Sequence, residues 1–245
     1  MRAIFIADAH LVSPEEPNYR LLLQFLNELE GKVDTLYVMG DLFDFWLGFP
    51  SHPYPQYDAV IDALERLVQG GCRLVYYEGN HDFHLGTVFS ERLQAEIHTV
   101  PAIEIIQGKR FYLCHGDQIN GADRLYRLLR FLLRTRLVAA GVRHFPPKWA
   151  EIIREGLQKR SQAGYNAKAA RWDYRQLLLG FARKLQEQGY DGLVAGHFHL
   201  ALCENIPSAP FTLLSLGDWM EQLTYGEMQD GELRLRTYSP APDAR

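Results

Sequence analysis

Three apolar runs near the start of the chain, AIFIA (3–7), TLYVMG (35–40) and RLVYYEG (73–79), are separated by two segments of helical period, PNYRLLLQFLNELEG (17–31) and YDAVIDALERLVQGG (57–71). Strand-like runs that alternate with amphipathic helices require a layered α/β core, because each helix must bury its apolar stripe against a sheet. Pro17 suits the first turn of its helix and Gly31 its end. Further along, the pattern predicts a short helix around 87–96 and a hairpin from Ala102 to Cys114 with Gly108-Lys109 at its turn. A long helical stretch, 121–188, is broken at HFPPKW (144–149) and followed by a strand at DGLVAG (191–196). The last four runs, ALCENI, FTLLSLG, LTYGEMQ and ELRLRTY, read as an antiparallel meander with Asp230-Gly231 as one turn.

Five short polar motifs share one placement: DAH (8–10), GDLFD (40–44), GNHD (79–82), HGD (115–117) and GHFH (196–199). Each stands where a strand gives way to a loop, the edge at which α/β sheets bind ligands. They hold five of the nine histidines together with Asp8, Asp41, Asp44, Asn80, Asp82 and Asp117. Imidazoles and hard oxygen donors without thiolate suit divalent Mn, Fe or Zn, and so many donors fit a two-metal site. His52, His84, His98 and His144 fall outside the motifs and read as surface or structural residues.

Composition narrows the remaining classes. A chain of 245 residues with net charge -4 has no global basic character that would call for nucleic acid. Its three cysteines are scattered and show no CxxC spacing, which argues against a disulfide framework or a thiolate zinc site and fits a reducing cytoplasm. The run Ala3 to Ala7 is too short for a signal-peptide core, and no stretch approaches the length of a membrane span.

The ordered set DxH, GDxxD, GNHD, a later His and GHxH resembles the calcineurin-like metallophosphoesterase family, from Asp8 to His199. The resemblance implies a single α/β domain over 1–245, a sandwich of two mixed β-sheets flanked by helices, with a helical insertion or lid at 121–188. It implies two divalent ions, manganese first with iron or zinc as alternatives. Asp8, His10, Asp41 and His199 would hold one; Asp41, Asn80, His115 and His197 would hold the other, with Asp41 bridging. His81 would face the leaving group, and Asp44 would hold its tautomer and orientation.

FIADAHL, LYVMGDLFDFWLG, GNHDFHLG and HGD are similar to the branch of that family that hydrolyses UDP-2,3-diacylglucosamine in lipid A synthesis. That similarity implies substrate contacts from Asn80, His81, Asp123, Ser161, Asn166, Lys168 and His197. The branch usually carries Arg where this chain has His81, and its substrate-contacting Asn falls at Tyr165, one place before Asn166. Another phosphomonoester or phosphodiester is the alternative substrate. From 121 to 160 ten basic residues face three acidic ones among many leucines, as in a basic amphipathic helix suited to an anionic membrane surface. The expectation is a cytoplasmic enzyme, peripheral on the inner face of the membrane, with no nucleic-acid partner. A scaffold that kept the fold and recruits membrane or protein through those basic helices is the reading from another class. Aromatics within 42–57 either line an acyl-chain pocket or pack as core.

Overall fold

A computed structural model of the chain describes residues 1–49, 52–135, 138, 141, 172–207 and 210–240. Ser161, Tyr165, Asn166, Lys168 and His144 lie outside these, as do Arg136, Arg143, Lys148, Arg154, Lys159 and Arg160 of the basic stretch.

Strand β1 (Arg2–Ile6) leads through helix α1 (Pro17–Leu29) to β2 (Thr35–Val38), and α2 (Asp58–Gln69) leads to β4 (Arg73–Tyr77). These three strands are parallel neighbours, extended by β6 (Glu96–His98) on one side and by the antiparallel pair β12 (Thr224–Gln229) and β13 (Glu232–Thr237) on the other. The second sheet runs in the order β10 (Ala201–Asn205), β11 (Thr212–Leu216), β9 (Gly192–Ala195), β8 (Lys109–Cys114) and β7 (Ala102–Ile106). Its three central strands are parallel and its edges antiparallel, so both sheets are mixed. A two-stranded piece, β3 (Trp46–Leu47) and β5 (Asp82–Phe83), joins two of the motif loops.

The period-2 alternation of the strands divides the core into layers. Phe5, Tyr37, Met39, Val75 and Tyr77 point between the sheets and meet Phe111, Leu113, Val194 and Leu214 from the other side. Their alternates Ile4, Ile6, Leu36, Val38, Leu74 and Tyr76 pack under α1 and α2. The helices present Tyr19, Leu22, Phe25, Leu26 and Leu29, and Val60, Ile61, Leu64 and Leu67, spacings that follow the helical period. On the outer face of the second sheet, α4 (Tyr174–Glu187) buries Leu178, Ala182 and Leu185, its first turn capped by Asp173. Helix α3 (Arg124–Leu133) follows the HGD loop.

Three local expectations are corrected. The C-terminal runs do not form one meander: β10 and β11 belong to the second sheet, while β12 crosses to pair with β1. Hydrophobic period identifies a strand without naming its neighbour. The hairpin turns at Gln107-Gly108, both at positive φ, because Ile106 pairs with Lys109; Asp230-Gly231 has the same geometry, as expected. Of the helix around 87–96 only one wide turn, Val88–Arg92, exists, and the residues after it enter β6. The aromatics of 42–57 resolve in favour of packing: Phe43, Phe45, Trp46, Phe49, Tyr54 and Tyr57 are buried, with Phe43 and Tyr57 ring centroids 4.4 Å apart.

Phe5 is fully buried at the centre of the inter-sheet layer and stacks on Tyr37 at 4.7 Å. Phe5→Ala is expected to lower unfolding free energy by about 3–5 kcal/mol, read from urea denaturation. A loss under about 1 kcal/mol would mean that this layer is not close-packed.

Candidate metal centre

Every central parallel strand delivers a polar residue to the same edge. Asp8 and His10 follow β1, Asp41 follows β2, Asn80 and His81 follow β4, His115 follows β8, and His197 and His199 follow β9. Five of these, Asp8, His10, Asp41, His197 and His199, have φ between 43° and 69°. For residues with a Cβ that region costs roughly 1–3 kcal/mol each and persists only where other contacts enforce it. Those contacts are present: Asp8 N–H donates to Gly40 O at 3.1 Å and His10 N–H to Asp41 O at 3.0 Å. The loops also approach too closely for side chains on the motif glycines. A Cβ on Gly79 would stand 2.0 Å from Asp41 Oδ1, and one on Gly196 2.7 Å from Asp8 Oδ2.

Three carboxylates hold the loops together, and two of them keep one oxygen for the site. Asp82 spends both: Oδ1 accepts from Asp41 N and Gly79 N, each at 2.9 Å, and Oδ2 accepts from Leu42 N at 2.7 Å and Tyr76 OH at 2.6 Å. Its chemistry marks it as an oxygen donor, but it locks the GDLFD loop to the GNHD loop and has nothing left for an ion. Asp8 Oδ2 accepts from His197 N at 2.7 Å, tying the two sheets together, and Asp41 Oδ1 accepts from His81 N at 2.8 Å. That leaves Asp8 Oδ1 and Asp41 Oδ2 facing the imidazoles.

The donors fall into two groups with one shared oxygen. Asp8 Oδ1 is 3.9 Å from His10 Nε2 and 3.7 Å from His199 Nε2. Asp41 Oδ2 is 3.8 Å from His10 Nε2 and 3.5 Å from His115 Nε2. His197 completes the second group, with a ligating atom from each of Asp41, His115 and His197 within 4.8 Å of one another. Bonds of about 2.1 Å to a common ion place neighbouring donors roughly 3–4 Å apart, so both spacings suit an ion.

Two further observations call for cations there. Asp8 Oδ1 and His10 Nε2 are buried and have no hydrogen-bond partner among the described residues, a costly state for polar atoms unless something else satisfies them. His115 donates its Nδ1–H to Met39 O at 2.8 Å, which turns the Nε2 lone pair toward Asn80 Oδ1 at 3.1 Å and toward Asp41 Oδ2. Three lone pairs meet at that point, an arrangement that a divalent ion stabilises.

The electrostatics agree. Burial pushes His10, His197 and His199 below the ordinary imidazole value, His197 to about 3, and keeps them in the neutral form that ligates. Burial and the neighbouring Asp41 charge push Asp8 up and raise Asp82 to about 6. Against burial, His115, His81 and His10 hold Asp41 well below the carboxylate range. His81 moves up despite burial, because Asp41 favours its imidazolium.

His81 and Asp44 are neighbours through the main chain of Asp44. His81 Nδ1 contacts the main-chain oxygen of Asp44 at 2.8 Å, while the Asp44 carboxylate lies within 4.8 Å of His81 and His10. Asp123 stands immediately before α3. Of the non-motif histidines, His84 touches Leu133 O through Nε2 at 3.0 Å, His98 stacks on Tyr77 and His52 contacts Asp58. Asp218, after β11, was not singled out in the sequence: its Oδ2 lies 3.8 Å from His199 Nδ1, while Oδ1 accepts from the main-chain N–H groups of Met220, Glu221 and Gln222. Its LGDW context repeats the strand-Gly-polar signal of the five motifs without a histidine.

Of the ten basic residues expected to form a basic amphipathic face over 121–160, only Arg130 and Arg134 have side chains among the described residues. Arg130 is paired with Asp117 and Arg134 with Glu78, so these two charges turn inward. Leu128, Phe131 and Leu132 are exposed instead, at 55%, 70% and 51%. Among the described residues no helix is long and apolar enough to cross a membrane.

A family model described as calcineurin-like phosphoesterase matches residues 1–201. The chain is 31% identical over 222 residues to a UDP-2,3-diacylglucosamine hydrolase of Nitrosococcus oceani, covering 89% of this chain and 88% of that protein. It is 29% identical over 241 residues to a protein of the same name from Aeromonas hydrophila subsp. hydrophila, covering 98% and 99%. A solved archaeal phosphodiesterase shares the fold at a TM-score of 0.51 with 14% identity, covering 97% of this chain and all of that one.

Asp82→Asn keeps the shape but puts an NH2 where an acceptor stood. It is expected to destabilise the protein by about 2–4 kcal/mol in urea and to weaken divalent-ion binding about 10- to 100-fold by calorimetric titration. Unchanged ion affinity would show that the loops hold their places without it.

Proposed function

The chain belongs to the calcineurin-like phosphoesterase family, and from that premise we propose that it hydrolyses the diphosphate of UDP-2,3-diacylglucosamine to UMP and 2,3-diacylglucosamine 1-phosphate. The reading is supported by the near full-length similarity to proteins of that name. The observation that carries it is the position of Asp41 Oδ2 between His10 and His115, which would let one carboxylate serve two ions. Asp8, His10, Asp41 and His199 would hold one ion, and Asp41, Asn80, His115 and His197 the other. Manganese is the proposed metal, as the family resemblance implies, and the imidazole and oxygen donors without thiolate suit iron or zinc as well. Two such ions neutralise the phosphoryl oxygens and lower the pKa of a bound water.

The chain's own residues do the rest. Asn80, His81 and His197 reach the phosphates. The Asp44 carbonyl orients the His81 ring through Nδ1, leaving Nε2 for the leaving group. A phosphate leaves as a stable anion and needs a cation beside it, which an imidazolium supplies as an arginine does. Asp123, Ser161, Asn166 and Lys168 are the proposed contacts to the remainder of the lipid, from an insertion within one domain.

The expected product is measurable. Purified wild type loaded with Mn²⁺ releases UMP from UDP-2,3-diacylglucosamine, and Asp41→Ala abolishes that release. Turnover of a generic aryl phosphodiester alone would reject the lipid substrate.

Leu128, Phe131 and Leu132, at i, i+3 and i+4 on α3, support a peripheral contact with the inner face of the membrane through apolar side chains. Phe131→Ser is expected to lower partitioning onto anionic vesicles about tenfold, because burying a phenylalanine contributes roughly 1.5–3 kcal/mol. Equal sedimentation of wild type and variant with vesicles would remove this face from the account.

A further inference from the structure

Helix α3 and the GNHD loop are joined by one guanidinium. Arg134, just past the helix end, donates from Nη2 to Gly79 O at 2.7 Å and Glu78 O at 3.1 Å, and from Nη1 to Glu78 Oε2 at 3.1 Å and Thr99 O at 2.7 Å. Its side chain is 12% exposed and that of Glu78 3%. The other Glu78 oxygen accepts from His84 N at 2.7 Å, and His84 Nε2 returns to Leu133 O on α3. Segment 78–84 is thus closed into a ring with the helix end.

The contacts fall on the chemistry-bearing part of the loop. Gly79 N–H is held by Asp82 and Gly79 O by Arg134, so the main chain entering Asn80 is fixed from both ends. Asn80 Oδ1 meets His115 3.1 Å away, and His81 N–H holds Asp41. We infer that Arg134 is a positioning residue for the reaction: it sets the Gly79 carbonyl and thereby the placing of Asn80 and His81. The inference rests on the reading of Asn80 as an ion ligand and His81 as the leaving-group residue. A planar guanidinium with several N–H donors spans three main-chain oxygens and one carboxylate, which a lysine ammonium cannot do at once. The pair also keeps the buried Glu78 charge compensated. Because Arg134 belongs to the segment after the HGD loop, docking of α3 and the geometry at Asn80 become one structural event.

The test uses full-length Arg134→Met and Arg134→Lys, with Arg66→Met, an exposed residue of α2, as control and Asn80→Ala as the reference for the ligand. Mn²⁺ affinity is measured by titration, and kcat and KM are measured separately with UDP-2,3-diacylglucosamine and an aryl phosphodiester. Arg134→Met is expected to weaken the second Mn²⁺ about 10- to 100-fold and to lower kcat by a similar factor with little change in KM. Arg134→Lys should fall in between, and added guanidinium ion should restore part of the Arg134→Met loss. If Arg134→Met does not fold, Arg134→Lys carries the measurement. Wild-type Mn²⁺ affinity and kcat in the folded Arg134 variants would overturn the inference. Full Mn²⁺ affinity in Asn80→Ala would overturn the ligand reading beneath it, an outcome separable from the first.

Discussion

The candidate centre depends on one buried carboxylate that never touches it. Asp82 accepts a tyrosine hydroxyl from β4 and three main-chain N–H groups, and those three N–H groups belong to the two loops that carry Asp41 and Asn80. Four hydrogen bonds stabilise its anion against burial, which otherwise raises its pKa. Once these loops are locked, Asp41 has one oxygen bound to His81 N–H and the other aimed between two imidazoles. Asp8 repeats the device across the sheets: one oxygen on His197 N–H, the other facing His10 and His199. Each carboxylate is half structural, and the free halves collect at one point.

This arrangement concentrates strain and unmet polarity where chemistry is expected. Five donor residues sit at positive φ, and among the described residues Asp8 Oδ1 and His10 Nε2 lack hydrogen-bond partners. A folded chain tolerates such costs when a ligand repays them, and a divalent ion does so for oxygen and imidazole lone pairs alike. The inter-sheet layer supplies the rigid background, with the parallel strands of both sheets ending on the same edge.

The strand-ending motifs were legible in the sequence because each couples an apolar run of period 2 with a glycine and a donor at a fixed offset. Asp8, His10, Asp41, Asn80, His115, His197 and His199 could therefore be read as candidate donors before any geometry. Period alone could not say that β12 returns to β1 rather than continuing beside β11, since pairing is set by long-range packing. Nor could charge count show which way α3 turns. Arg130 and Arg134 look solvated beside their leucines, but buried Asp117 and Glu78 draw them inward and leave Phe131 outside. Asp218 escaped because its motif lacks a histidine, although it stands 3.8 Å from one. The contacts of Ser161, Asn166 and Lys168 rest on resemblance alone.

Family membership and the buried set of imidazole and carboxylate donors converge on a metal-dependent phosphoesterase, and the oxygen placed between His10 and His115 is the basis of the two-ion proposal. The claim beneath all of it is that Asp41 serves two cations at once. Anomalous diffraction from crystals grown with Mn²⁺ tests this directly. The account predicts two peaks about 3.5–4 Å apart with Asp41 Oδ2 bonded to both. A single peak, or two that Asp41 does not join, would contradict it.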